Sequence, residues 1–225
     1  MFVGHLAVAL AAKPAVPRRS LGTLIAAAFG LDLLWPFLLL AGVERVAVQP
    51  GVTAFTPLRF ESYPWSHSLL LAAVWGTVLA LAVRRDRAGA VTLGALVVSH
   101  WVLDFVTHRP DLPLWPGGPL AGLGLWNSVP WTLVIEGALL AAGLAIYLRA
   151  TRARRPAGVW ALWSLVAICT AIWASGPFAA PPPSATAIAV VALAMWLFPV
   201  WGAWIDRARA MRDERSDVAE AGIRC

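Results

Sequence analysis

The sequence predicts an all-α membrane protein, a bundle of about six to seven hydrophobic helices. Two observations carry that expectation. Of the 225 residues, 60% are hydrophobic and only 13% charged, with a mean hydropathy of +0.71, whereas soluble domains carry roughly 25% charged residues. The 18 basic residues also fall in short clusters between apolar runs. That spacing is the mark of membrane topology, and it argues against a nucleic-acid partner despite the net charge of +6. Residues 1–205 read as one transmembrane helical domain and 206–225 as a charged cytoplasmic tail, with no internal repeat.

Residues 1–12 form a short apolar helix whose one polar side chain is His5. At 1.5 Å per residue it covers about 18 Å of a roughly 30 Å hydrocarbon core, so it is either a half-helix or a tilted partial span. It lacks the basic n-region of a secretory signal. A basic turn with Lys13, Arg18 and Arg19 follows. Residues 20–43 are long enough to cross and carry Asp32 near their middle, and Pro36 is expected to kink them. Residues 44–65 read as a polar, proline-punctuated loop. The next span, 67–83, opens on Ser66-His67-Ser68 and closes on Arg84, Arg85 and Arg87. Residues 88–108 are apolar until their last turns, and 109–126 form a Pro- and Gly-rich loop holding Asp111. The span 128–148 contains Glu136 and ends at Arg149, Arg152, Arg154 and Arg155. The last two spans, 159–178 and 185–205, contain no ionisable residue and read as scaffold. Cys169 lies in an apolar run and Cys225 is the last residue, so no structural disulfide is expected.

Counting basic residues orients the chain. The turns at 13–19, 84–87 and 149–155 and the tail hold fifteen, and the opposite loops hold three, Arg45, Arg59 and Arg109. This places the N-terminus outside and the C-terminus in the cytoplasm. All four histidines and the intramembrane carboxylates then fall in the outer half of the bilayer. Most of Trp35, Trp65, Trp101, Trp115, Trp126 and Trp131 fall at the outer boundary, as an aromatic belt would.

The chemistry concentrates in the span 88–108. His100, Asp104 and His108 are spaced i, i+4 and i+8, within about 80° of one another on one helical face. An ionisable group at mid-membrane costs about 2.5 to 3.5 kcal/mol unless partnered, so three on one stripe point to function. Imidazole and carboxylate ligands without a thiolate suit Zn²⁺, Mn²⁺ or Fe²⁺. A carboxylate-rich site with an open position activates water for hydrolysis. A site in the outer leaflet favours a membrane lipid or another amphiphilic ester or phosphoester. The alternative is a transporter or permease that uses the same groups for a proton, metal or solute. A metal-stabilised structural or partner-binding protein is a third class.

The residues that carry this chemistry also carry a resemblance. His5, Gly30-Leu31-Asp32, Ser66-His67-Ser68 and the His100-x-x-x-Asp104 helix running to Thr107 resemble the YdjM-like family of bacterial inner-membrane-bound metal-dependent hydrolases. The His-x-x-x-Asp element is also similar to that of zinc-dependent phospholipases C. The resemblance covers about the first half of the chain and implies a multi-helical fold in the bacterial inner membrane and metal-dependent hydrolase activity. The chain departs from the family in two places. Leu31-Asp32 replaces the usual Pro-Asp, and Tyr63-Pro64-Trp65-Ser66 replaces a His-Arg-Gly lead.

Taken together, these readings make His67, His100 and Asp104 the primary metal ligands, with His5 and Asp32 completing the site or binding a second ion. His108 is a further candidate ligand, and it and Asp111 are the residues available to replace the missing leading histidine. Glu136 is the candidate general base or a partner behind a ligand, and Asp111 the second candidate catalytic acid. Ser68 is either a nucleophile or a helix cap. Arg109 either holds a phosphate or snorkels at the interface. The scheme requires His67 within roughly 10 Å of His100 or Asp104, because every ligand of one ion lies about 2 Å from it.

Overall fold

The computed structural model describes residues 1–212. Helix α1 (Phe2–Ala12) ends in a 3-10 turn at Lys13–Ala15. Ser20 caps α2 (Leu21–Ala28), its hydroxyl accepting from the Gly22 amide, and α3 (Gly30–Leu40) follows at 55° to it. The bend lies at Phe29, not at Pro36. The proline costs α3 its hydrogen bond to the Asp32 carbonyl without ending the helix.

The stretch read as a loop contains an antiparallel hairpin, β1 (Arg45–Val48) with β2 (Leu58–Ser62), and a single turn, α4 (Pro64–His67). Ser68 caps α5 (Leu69–Ala82) by accepting from the Leu71 amide, which settles its part in the fold. Asp86 caps α6 (Arg87–Thr107) from Gly89. Strands β3 (Leu112–Pro113) and β4 (Leu120–Ala121) pair before α7 (Val129–Ala150), which Ser128 caps. Strand β5 (Thr151–Ala153), α8 (Pro156–Ser175), α9 (Ala185–Ala192), α10 (Leu197–Ala208) and β6 (Arg209–Met211) complete the described chain.

Four helical stretches among the described residues are long and apolar enough to cross a membrane: Arg87–Thr107, Val129–Ala150, Pro156–Phe178 and Ala185–Ala208. The bent pair α2 and α3 makes a fifth if it counts as one span. The expected six to seven is reached only by adding α1 and α5, whose 11 and 14 residues cover about 16 and 21 Å. Large apolar side chains face outward, Trp160 at 72% exposure and Val191 at 73%, while titratable groups are buried. That inversion is the mark of a membrane protein.

The basic turns gather at one end. Arg19 pairs with Asp86 at 2.7 Å, Lys13 with Asp206 at 3.0 Å, and the Arg154 amide bonds to the Ala208 carbonyl. Strand β6 pairs with β5, so the first residues read as tail, 206–211, belong to the fold. The rest of that tail, from 213, lies outside the described residues. At the other end the hairpin meets the later loops, where the Phe55 amide bonds to the Trp126 carbonyl and Tyr63 to Asp111.

Helix α1 is the axis of the packing, with Val3, His5, Leu6, Ala9 and Leu10 all buried. Its approach to α7 is so close that a Cβ on Gly143 would meet the Ala7 carbonyl oxygen at 2.3 Å. A Gly143→Val variant is therefore expected to push α1 aside and cost about 1 to 3 kcal/mol. Unfolding in detergent micelles should show a lower midpoint.

Candidate metal centre

Four elements converge on the buried face of α6. His100 donates from Nδ1 to the Ala28 carbonyl at 2.8 Å. Ala28 is the last residue of α2, where closing carbonyls lack intrahelical partners. The same break puts Asp32 in the first turn of α3, where the amide dipoles favour a carboxylate. One interruption thus supplies the acceptor that fixes His100 and the seat for Asp32. His67 closes α4, and His5 comes from α1 with its ring stacked on His100 at 3.7 Å between centroids.

The donor atoms face one another. His67 Nε2 lies 3.4 Å from Asp32 Oδ1 and 3.8 Å from Asp104 Oδ2. His100 Nε2 lies 3.7 Å from Asp32 Oδ1 and 3.1 Å from Asp104 Oδ2. Ligands on bonds of about 2.0 Å stand about 3.3 Å apart at the corners of a tetrahedron, and these four His–Asp separations approach that edge length. His5, Asp32 and His100 form one group of converging ligand atoms, and His67, His100 and Asp104 another. The other oxygen of Asp104 accepts from the Met1 ammonium and lies 3.2 Å from His5 Nε2.

The residues present fit a divalent cation. With Nδ1 committed as a donor, neutral His100 turns a lone pair on Nε2 toward the carboxylates. That buried nitrogen has no hydrogen-bond partner although Asp104 Oδ2 is 3.1 Å away. A proton there would not be aimed at the carboxylate, whereas an ion held by either group of ligand atoms would satisfy that nitrogen. His67, His100 and Asp104 are closed off, while the Asp32 side chain keeps 22% of its surface exposed. Access to the site is at Asp32.

His108 does not join this group. The sequence pattern extends the helical stripe to it, but α6 ends at Thr107 and His108 takes an extended conformation (φ −65°, ψ 145°) that swings it away. It belongs to a second cluster, in which His108 Nδ1, the Tyr63 hydroxyl and Asp111 Oδ1 lie 3.1 to 3.2 Å apart. Arg109 donates to the other oxygen of Asp111 at 3.0 Å. Burial, and then the Asp111 charge, hold the Tyr63 phenol well above its ordinary pKa, so it stays a donor. Its ring also touches His67 at 5.3 Å, joining the two clusters. Glu136 stands apart on α7, buried, with neither oxygen hydrogen-bonded. The Met1 ammonium, the Asp104 charge and the Trp126 indole are its electrostatic neighbours.

Two further participants gave no sign in the sequence. The Ala28 carbonyl is a backbone group exposed by a break that only Gly30 hints at. Glu44, buried, accepts from the Trp65 and Ser66 amides and from the Ser66 hydroxyl, although no periodicity links it to His67.

Replacing His100 with Gln should therefore remove cation affinity with helical content retained. The loss should exceed the roughly 10- to 100-fold typical for a partner behind a ligand. Calorimetric titration with Zn²⁺ beside circular dichroism measures both.

No family model matches the sequence, and neither the curated proteins nor the solved structures contain a significant match to it.

Proposed function

We propose that the protein is a membrane-bound metal-dependent hydrolase of the YdjM-like kind that acts on an amphiphilic ester or phosphoester. One observation carries the reading: the imidazole nitrogens of His67 and His100 stand 3.1 to 3.8 Å from carboxylate oxygens of Asp32 and Asp104, brought together from three elements around a buried centre. Asp32, His67, His100 and Asp104 would hold the ion, with His5 completing the set or serving a second ion. Zinc suits this donor set best, and Mn²⁺ or Fe²⁺ is the alternative. A bound ion of this type supplies charge to a polarised acyl or phosphoryl oxygen and acidity to a water molecule.

The chain's own residues do the rest. Glu136, buried with the Met1 ammonium and Asp104 as its charged neighbours, would act as a partner behind the ligand Asp104. Arg109, held by Asp111 in the cluster that Tyr63 joins to the centre, offers a guanidinium to an anionic headgroup. Asp111 serves by placing Arg109, His108 and Tyr63, a positioning role where the sequence offers a catalytic one. The clustering of basic turns at one end supports an inner-membrane, multi-pass placement with that end cytoplasmic and seven hydrophobic segments, α1 and α5 crossing in part.

A cavity of about 530 Å³ supports the amphiphilic substrate. It is lined by apolar side chains that include Phe2, Ile172, Ile188, Met195 and Phe198. Of the residues that line it, Phe2 and Phe198 contact Phe29, and Phe29 in turn contacts His5. An acyl chain lying there would be separated from His5 by the Phe29 ring.

The break between α2 and α3 favours a second reading. Discontinuous helices that present a half-helix N-terminus and a carbonyl outside the helical ladder are a feature of transporters, and Asp32 and Ala28 occupy those positions.

Elemental analysis of the purified protein, followed by a screen of lipid and phosphoester substrates with and without chelator, tests the proposal. The expected result is bound transition metal and turnover that the chelator abolishes. Absence of metal overturns it, and metal without turnover but with ion uptake into proteoliposomes favours the transporter. Filling the cavity with Ala192→Trp should lower kcat/KM for long-chain substrates and spare short-chain ones.

A further inference from the structure

We infer that Glu44, acting through the Ser66 hydroxyl, is a positioning residue that fixes the His67 tautomer with its Nε2 lone pair turned into the metal centre. Glu44 Oε2 lies 2.6 Å from Ser66 Oγ, and Ser66 Oγ lies 2.6 Å from His67 Nδ1. A serine hydroxyl has one hydrogen, and a carboxylate can only accept. The hydroxyl hydrogen therefore goes to Glu44, and Ser66 Oγ is left as an acceptor toward His67. Nδ1 must then carry the ring hydrogen of a neutral imidazole, and Nε2 must be bare. That bare nitrogen is the atom 3.4 Å from Asp32 Oδ1 and 3.8 Å from Asp104 Oδ2.

The direction of the chain is enforced from behind. Glu44 Oε1 accepts the Trp65 and Ser66 amides, each at 2.8 Å, so the carboxylate is clamped to the turn that carries His67. Glu44, Ser66 and His67 are all buried, which keeps water from competing for these bonds. Metal-bound histidines commonly use a carboxylate this way, and here a hydroxyl stands between the two.

The inference rests on the metal-centre reading, but its test does not depend on a metal. The Glu44→Gln variant keeps the shape and the oxygen that accepts both amides, and it replaces the second oxygen with an NH₂ donor. Ser66 Oγ must then accept from the amide and turn its own hydrogen onto His67 Nδ1. The ring hydrogen moves to Nε2 and blocks coordination.

Nitrogen-15 NMR of metal-free, histidine-labelled protein near pH 8.5 reads this directly, with His67→Gln assigning one of the four histidines. The wild type should show His67 protonated at Nδ1, Glu44→Gln at Nε2, and Zn²⁺ affinity should fall about 10- to 100-fold in the variant. Ser66→Ala, which keeps both amide bonds of Glu44, should leave His67 a mixture of tautomers and serves if Glu44→Gln does not fold. An Nε2–H tautomer in the wild type, or the wild-type tautomer retained in both variants, overturns the inference. Failure of the wild type to bind any cation overturns the metal reading instead, and the tautomers still decide the relay.

Discussion

The arrangement depends on one electrostatic constraint. Buried carboxylate oxygens and imidazole lone pairs do not settle within 4 Å of one another in an apolar interior unless positive charge lies among them. Asp104 satisfies one oxygen with the Met1 ammonium and turns the other toward His67 and His100. Asp32 faces the same two rings from α3. The local geometry of four elements is organised around meeting that demand.

The break at Phe29 is what makes the demand local. A continuous helix would bury its carbonyls in its own ladder and leave Asp32 mid-helix on an apolar surface. Interrupted, it offers the Ala28 carbonyl to His100 and a helix start to Asp32. Irregular backbone at membrane depth is tolerated where protein side chains satisfy it, and here His100 does so. The hairpin has a parallel function. It brings Glu44 behind the turn at Ser66 and carries Tyr63 to the junction of the two clusters.

Composition and basic clustering made the helical membrane class legible, since burial of apolar side chains in lipid leaves an unmistakable excess of them. The i, i+4 pair on α6 was legible for the same reason that helices are periodic: His100 and Asp104 must share a face. The third member, His108, was misplaced because the pattern does not reveal that α6 stops at Thr107. Periodicity within one helix also cannot say which helices meet, so bringing His5, Asp32 and His67 to that face needed the topology. Glu44 was invisible because its contacts are set by a hairpin turn rather than by spacing. Proline is the strongest local breaker, so the sequence points to a bend at Pro36, yet α3 runs on through it and the 55° bend falls about two turns earlier, at Phe29.

X-ray absorption at the metal edge of the purified protein tests the central claim most directly. A centre built from His67, His100, Asp32 and Asp104 should give nitrogen and oxygen neighbours at about 2.0 to 2.1 Å, with the outer scattering of imidazole rings. A sulfur neighbour at about 2.3 Å, or an ion surrounded by water alone, would contradict it.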